Sequence, residues 1–230
     1  MPALAANHSR HVVIMGNNAS PQDMQTYLQA HSPVTKHVPF AFQSIAGWRE
    51  NSLVISVRGT RTKINIGGLG EDLSWRPFID QALANTKYAW TYQNNMNEWL
   101  KSHYVMILAL NSIASTYNGN LRRAAKDRKL LHLVIHAMDE GHQVLEKNGV
   151  TVTPAAQKQF ARKNRRLLYI LLKMMLSIPI SRILLSDKAV SANEITALQQ
   201  AFADLKKSAN MATPHWDELQ QYFPLERQSS

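Results

Sequence analysis

The chain has 230 residues, no cysteine, 45% hydrophobic and 18% charged residues, and a formal charge of +10. Disulfides and thiolate metal sites are thereby excluded, and so is a disordered chain, while there is length for one large domain or two small ones. The positive charge gathers in 122–129 and 158–166, runs poor in aromatic residues, which read as solvated helix faces rather than nucleic-acid footprints.

The first residues are too polar ahead of a four-residue apolar run to form a signal peptide, and a cytoplasmic location is expected. HVVIMG (11–16) reads as a buried strand entering a loop, and SPQDMQTYLQAH (20–31) as a helix opened by Ser and Pro. VPFAFQSIAGWRE, SLVISVRGT and TKINIGG follow as β-rich segments, with GWRENS and GTRT as turns. A short helix near WRPFIDQALANT and a strand at YAWTYQ close this α/β part.

From about residue 96 the period becomes helical. Trp99, His103, Met106, Leu110, Ile113 and Tyr117 mark one face of a long helix, and 121–147 reads as a second, ended by the Gly of KNGV. TVTPAAQKQF opens a third, with Thr153 as N-cap and Pro154 at the first helical position. The apolar stretch 167–185 contains Lys173, Pro179 and Arg182, which break the roughly 20 apolar positions of a membrane span, so a buried core helix ending near Pro179 is expected. Residues 191–210 and 213–223 complete the helices. The fold class is α/β plus all-α, with domains at 1–95 and 96–230. His132 and His136, at i and i+4 in an apolar pattern, read as satisfied or surface histidines, and no metal site is expected.

Several landmarks fall in one order: IMGNNAS with Asn17, INIGG, NEWLKSH, EKNGVTVTP, and NEITALQQAFADLKKSANMATPHWDEL. In that order they resemble the ketopantoate reductase (2-dehydropantoate 2-reductase) family over nearly the whole chain. The resemblance implies a Rossmann-like NADP-binding domain followed by a helical dehydrogenase-type C-terminal domain. It also implies NADPH-dependent reduction of 2-dehydropantoate, or of a related 2-oxo compound, to a 2-hydroxy acid in pantothenate biosynthesis. Residue by residue, the family's catalytic lysine, two positions after a tryptophan, matches Lys101 after Trp99, and its late carboxylate ahead of a (T/V)P pair matches Glu194 ahead of Thr213 and Pro214. Its loop asparagine matches Asn17, at the cofactor and substrate, with Asn18 where a glycine is usual; its substrate-binding serine matches Ser181 or Ser186. The partners implied are a small 2-oxo acid and a possible second copy of the chain, with no nucleic acid and no membrane expected.

The chemistry of these residue types stands without the family. Reduction of a ketone builds negative charge on oxygen, which an ammonium stabilises and protonates, while an amide and a carboxylate position the groups.

The sequence departs from the family in two places. No GxGxxG occurs: the glycines of GGLGED (67–72) have neither its spacing nor its position, so the chain is expected to begin inside the nucleotide domain, to bind NADPH poorly alone and to be weak or inactive by itself. A sheet begun in this way exposes an edge and an apolar face. Second, Val105 and Ala109 stand four and eight residues after Lys101, where the family has asparagines; Asn111 lies on another face. An alternative reading is a noncatalytic helical interaction module, in which 153–185 docks on a partner protein or an anionic membrane.

Overall fold

The computed structural model describes residues 1–43, 45–57, 63–179, 181–185 and 191–223. Two compact units divide the chain: 1–45 with 58–100, and 46–57 with 101–230. The expected boundary at 95/96 thus differs from that of the units, which falls inside a helix. The reason is that the first turn of that helix supplies Met96, Trp99 and Leu100 to the hydrophobic core of the first unit.

In the first unit, β1 (Ile14–Met15), β2 (Phe40–Gln43), β5 (Lys63–Gly67) and β6 (Ala89–Tyr92) form one mixed sheet in the order β1-β2-β5-β6. β1 and β2 are parallel, β2 and β5 antiparallel, β5 and β6 parallel. The two-residue period of a strand sends alternate side chains to opposite faces. Phe40 joins Leu28 of α2 (Pro21–His31), Ala5 of α1 (Pro2–Ala6) and the Met96 turn on one side. Ala41, Ile64 and Ile66 join Trp75 and Ile79 of α3 (Arg76–Leu83) on the other. β3 (Ala46–Glu50) and β4 (Leu53–Val57) make a separate antiparallel hairpin, grouped with the second unit. The turn expected at GTRT lies outside the described residues.

The second unit is helical. α4 (Met96–Thr116) enters it at Lys101, and α5 (Leu121–Ala124), α6 (Arg128–Lys147), α7 (Ala155–Arg162), α8 (Arg165–Ser177), α9 (Ser181–Leu184), α10 (Ala192–Ala209) and α11 (Pro214–Gln220) follow. α6 is its axis: twelve of its residues are buried, and α7, α8, α10 and α11 all pack on it. The segment expected as one helix over 121–147 is two, because Asp127 caps α6 by accepting the Leu130 N–H at 3.0 Å. Its end is as the sequence predicts: Gly149 adopts φ +72°, and the Val150 N–H closes on Leu145 O. Asn148 ties that end to α10 by donating to Leu205 O at 2.9 Å.

Two expectations on the segments after α6 are corrected. Pro154, not Thr153, is the N-cap, since the Thr153 hydroxyl turns back to Thr151 O. The apolar stretch from 167 is not a buried core helix: only Leu172 and Leu176 of α8 are buried, while Leu167, Ile170, Leu171 and Met174 are 44–61% exposed. No described helix is long and apolar enough to cross a membrane.

Candidate functional site

α4 is started by Asn95, whose side-chain oxygen accepts the Glu98 N–H at 3.2 Å. In the first unit the ring of Trp99 lies 5.4 Å from that of Phe42, which fixes the first turn against β2. Lys101 stands in the second turn, in the second unit, and is half-buried. Its neighbours explain that state. Ser102, His103, Tyr104 and Val105 are all buried, as are Leu108 and Ser112 on its own ridge, so the lysine stem lies at the end of an apolar row. Ser102 accepts the Thr153 N–H at 2.9 Å, which fastens this turn to the strand-like link after α6.

The residues four and eight places on from Lys101 are core. Val105 and Ala109 are fully buried, and a Cβ on Gly141 of α6 would fall 2.6 Å from Val105 Cγ1. Asn111 donates its amide to Ile107 O at 2.9 Å within its own helix.

In the first unit, Asn17 is half-buried after Gly16, which takes φ +125° while its N–H donates to Ala41 O. Asn18 is 8% exposed; it accepts the Ser20 N–H at 3.0 Å and donates to Met24 Sδ at 3.2 Å. Its amide thus braces the loop that opens α2.

In the second unit, Ser181 is 1% exposed and its hydroxyl donates to Met175 O. That hydrogen bond closes the corner between α8 and α9. Ser186 lies outside the described residues. Glu194 is half-buried in the first turn of α10, where its N–H donates to the Ser191 side chain at 3.1 Å. Ser191 and Glu194 have the capping-box spacing, a signal that could have set the start of α10 from the sequence. Thr213 is buried at the N-cap of α11, followed by Pro214.

Around α6 the second unit holds polar groups that the sequence did not single out. The Glu140 carboxylate accepts the N–H groups of His215 at 3.3 Å and Trp216 at 2.8 Å and meets His215 Nδ1 at 2.6 Å, so it caps α11 from 75 residues away. Asp139, whose side chain is 8% exposed, accepts from Arg162 Nε at 2.9 Å and Arg165 Nη2 at 2.8 Å. Glu146 pairs with Lys158 and with Arg162. Burial works to raise the Glu146 carboxyl, but those two cations outweigh it and hold it below its ordinary range. Asp139→Asn removes the anion and leaves two guanidinium groups facing a neutral amide. We expect a stability loss of about 2 kcal/mol and a melting temperature lower by about 4–8 °C in thermal unfolding; a change within about 1 °C would show that the pairing of α6 with α7 and α8 does not rest on this carboxylate.

His132 stacks on Tyr169 with ring centroids 5.2 Å apart and His136 on His215 at 4.7 Å, so the two are drawn to different partners. Ser74, His37 and Asp72 of the first unit lie together, but Ser74 Oγ at 2.6 Å and Asp72 Oδ2 at 3.4 Å both address the same ring nitrogen, Nδ1. A nucleophilic triad needs base and orienting group on opposite nitrogens, so this cluster is not one.

A dinucleotide pyrophosphate needs inward-pointing N–H groups and positive potential. The cleft at GGLGED, about 260 Å³, offers the reverse: Glu71 and Asp72 line it, and Gly70 O and Asp72 O lie 3.3 and 3.5 Å from where a Cβ on Gly68 would stand. At the start of α2, Pro21 lacks an N–H and Asp23 adds negative charge. The described residues therefore form no pyrophosphate cradle at either glycine-bearing turn.

No protein-family model matches the sequence, and no curated protein matches it. Solved structures do match. A D-mandelate dehydrogenase in complex with NADH superposes with a TM-score of 0.68 at 10% identity, over 96% of this chain and 71% of that one. The 2-dehydropantoate 2-reductase of Methylococcus capsulatus gives 0.63 at 12%, over 91% and 63%. A dimeric ketopantoate reductase from Staphylococcus aureus gives 0.58 at 14%, over 93% and 77%. The chain has the fold of the ketopantoate reductases and of D-mandelate dehydrogenase: a small mixed sheet of Rossmann-like type followed by a helical domain.

Proposed function

We propose that the chain carries the proton-donating side of a nicotinamide-dependent 2-oxo-acid reductase. The observation that supports this most directly is Lys101, half-buried at the end of a buried ridge in a fold shared with reductases and dehydrogenases of 2-oxo and 2-hydroxy acids. The cofactor, NADPH by the sequence resemblance, would supply hydride to such a ketone, although the described residues do not cradle its pyrophosphate.

The chain's own part is electrostatic. The Lys101 ammonium donates a hydrogen bond to the ketone oxygen, opposes the charge that grows there as the carbon is reduced, and gives up one proton to form the 2-hydroxy acid. Solvent then returns that proton. Asn17 and Glu194 are assigned positioning roles, and Ser181 the shaping of a corner rather than a grip on substrate. With Val105 and Ala109 in the core where the family has asparagines, the hydroxyl of 2-dehydropantoate loses those amide partners, which favours a 2-oxo acid without that hydroxyl. A possible second copy of the chain accompanies this reading, since one matching reductase is a dimer.

The test measures oxidation of NADPH and of NADH by the purified protein with 2-dehydropantoate and with an arylglyoxylate, together with tryptophan quenching on titration of each acid without nucleotide. Slow oxidation that depends on the 2-oxo acid, with the arylglyoxylate preferred and a saturable quench, is expected. Absence of both oxidation and quench would remove the reading.

A further inference from the structure

We infer that α8 is a docking surface for an anionic lipid membrane, on which the helical unit lies without inserting a span. The inference is independent of the reductase reading.

Leu167, Ile170, Leu171 and Met174 are 47, 51, 44 and 61% exposed, and Ile178 just beyond the helix is 48% exposed. At about 100° per residue the four helical positions share an arc of about 100°. The opposite arc is occupied: Leu172 and Leu176 are buried, and Arg165 points back to Asp139. The exposed stripe is therefore not the fringe of a core contact. It is a second apolar face on a helix that already has its packing face, and a soluble surface rarely carries such a contiguous patch without an occupant.

Charge selects the occupant. Residues 151–185 contain seven Lys or Arg and no Asp or Glu. Lys158, Arg162 and Arg165 are paired with Asp139 and Glu146 of α6. Lys163, Arg166, Lys173 and Arg182 are exposed and form no ion pair among the described residues. On the helix, Arg166 and Lys173 flank one border of the stripe, where a long side chain holds its charge at headgroup level while its stem stays in the apolar layer. α5 packs on α8 and adds Arg122 and Arg123, both exposed. A second copy fits this surface less well, because two-fold pairing through α8 would oppose like charges with no carboxylate in 151–185 to meet them. Phospholipids of negative charge supply both the apolar layer and the counter-charge.

The experiment is flotation of the intact protein with vesicles of phosphatidylcholine alone and of phosphatidylcholine mixed with phosphatidylglycerol, at low and high salt, with sedimentation of the protein alone. We expect about tenfold or greater partition onto the mixed vesicles, reduced by salt. Arg166→Gln with Lys173→Gln should lower binding to the level of neutral vesicles, and Ile170→Glu with Met174→Glu should abolish it, both with unchanged circular dichroism. All four side chains are exposed, so the fold does not depend on them. Failure to float with the mixed vesicles, or flotation unaltered by the double Glu variant, overturns the inference. So does a dimer that the double Glu variant splits while neither form binds lipid, which would make the stripe a self-association face.

Discussion

Lys101→Ala is expected to lower kcat/KM for a 2-oxo acid by about 10³-fold while leaving the fold intact. The magnitude follows from what is removed: the charge that opposes the developing oxyanion and the proton that completes the alcohol, each worth about two to three orders of magnitude and not fully additive because one group supplies both. The fold should tolerate the change, since Lys101 is half-buried at the end of its ridge and the residues that anchor this turn are Trp99, Leu100 and Ser102. Lys101→Arg separates the two roles. It keeps the positive charge but not a proton that can be given up near neutral pH, so binding of the acid should survive while kcat stays low. Turnover by Lys101→Ala equal to that of the natural chain would return the residue to the role of a surface lysine with a packed stem.

Acid should unfold the helical unit well before the carboxylates titrate. His103 is 7% exposed and His142 fully buried, and burial pushes each ring down from 6.5 to about 4. A folded value below the unfolded one means that the unfolded chain takes up protons the native chain refuses. The contribution of each histidine is complete above about pH 6.5 and is lost as pH falls towards 4. The full loss is on the order of 3 kcal/mol per residue, and about 2 kcal/mol of each has gone by pH 5. Glu146, held low by Lys158 and Arg162, adds a further loss below its ordinary range as it is protonated. For a native state worth about 5–15 kcal/mol, two such histidines decide acid stability.

The variant that isolates the effect is His142→Leu. Among the described residues neither ring nitrogen of His142 has a hydrogen-bond partner, so an apolar residue of similar volume leaves nothing unsatisfied. Between pH 7.5 and 5, His142→Leu should lose about 2 kcal/mol less stability than the natural chain in urea titrations. Equal acid sensitivity in the two proteins would show that His142 is not held neutral in the native state.

Much of the helical half is legible in one dimension. The 3.6-residue period of α4, α6 and α10, the Gly that ends α6 and the Pro that opens α11 are local, and the chain obeys them. The strands were legible as types, since KINIG and AWTY have the β-branched and aromatic pattern. Their pairing was not: the antiparallel step between β2 and β5 inside an otherwise parallel order depends on partners more than twenty residues apart. The candidate site was legible as residue types only. Lys101 is a half-buried lysine on a ridge, as its spacing predicts, whereas Asn18 and Ser181 turned out to be hydrogen-bonded to their own loop and corner, which no linear spacing reveals.

What the sequence by itself determined was the class, an α/β piece followed by helices, and the landmark order that resembles a reductase family. Periodicity, caps and motif order act within a few residues of themselves, so they survive without knowledge of the fold. The tertiary structure alone decided which apolar surface is covered. LLYILLKMMLS is apolar nearly all round, and a helix of that kind has no face that the sequence can mark as inner. Only the docking of Leu172, Leu176 and Arg165 on the rest of the unit showed that the other side of α8 stays open. In the same way Glu140 became a helix cap, and the first turn of α4 part of the first unit, through contacts made across the chain rather than along it.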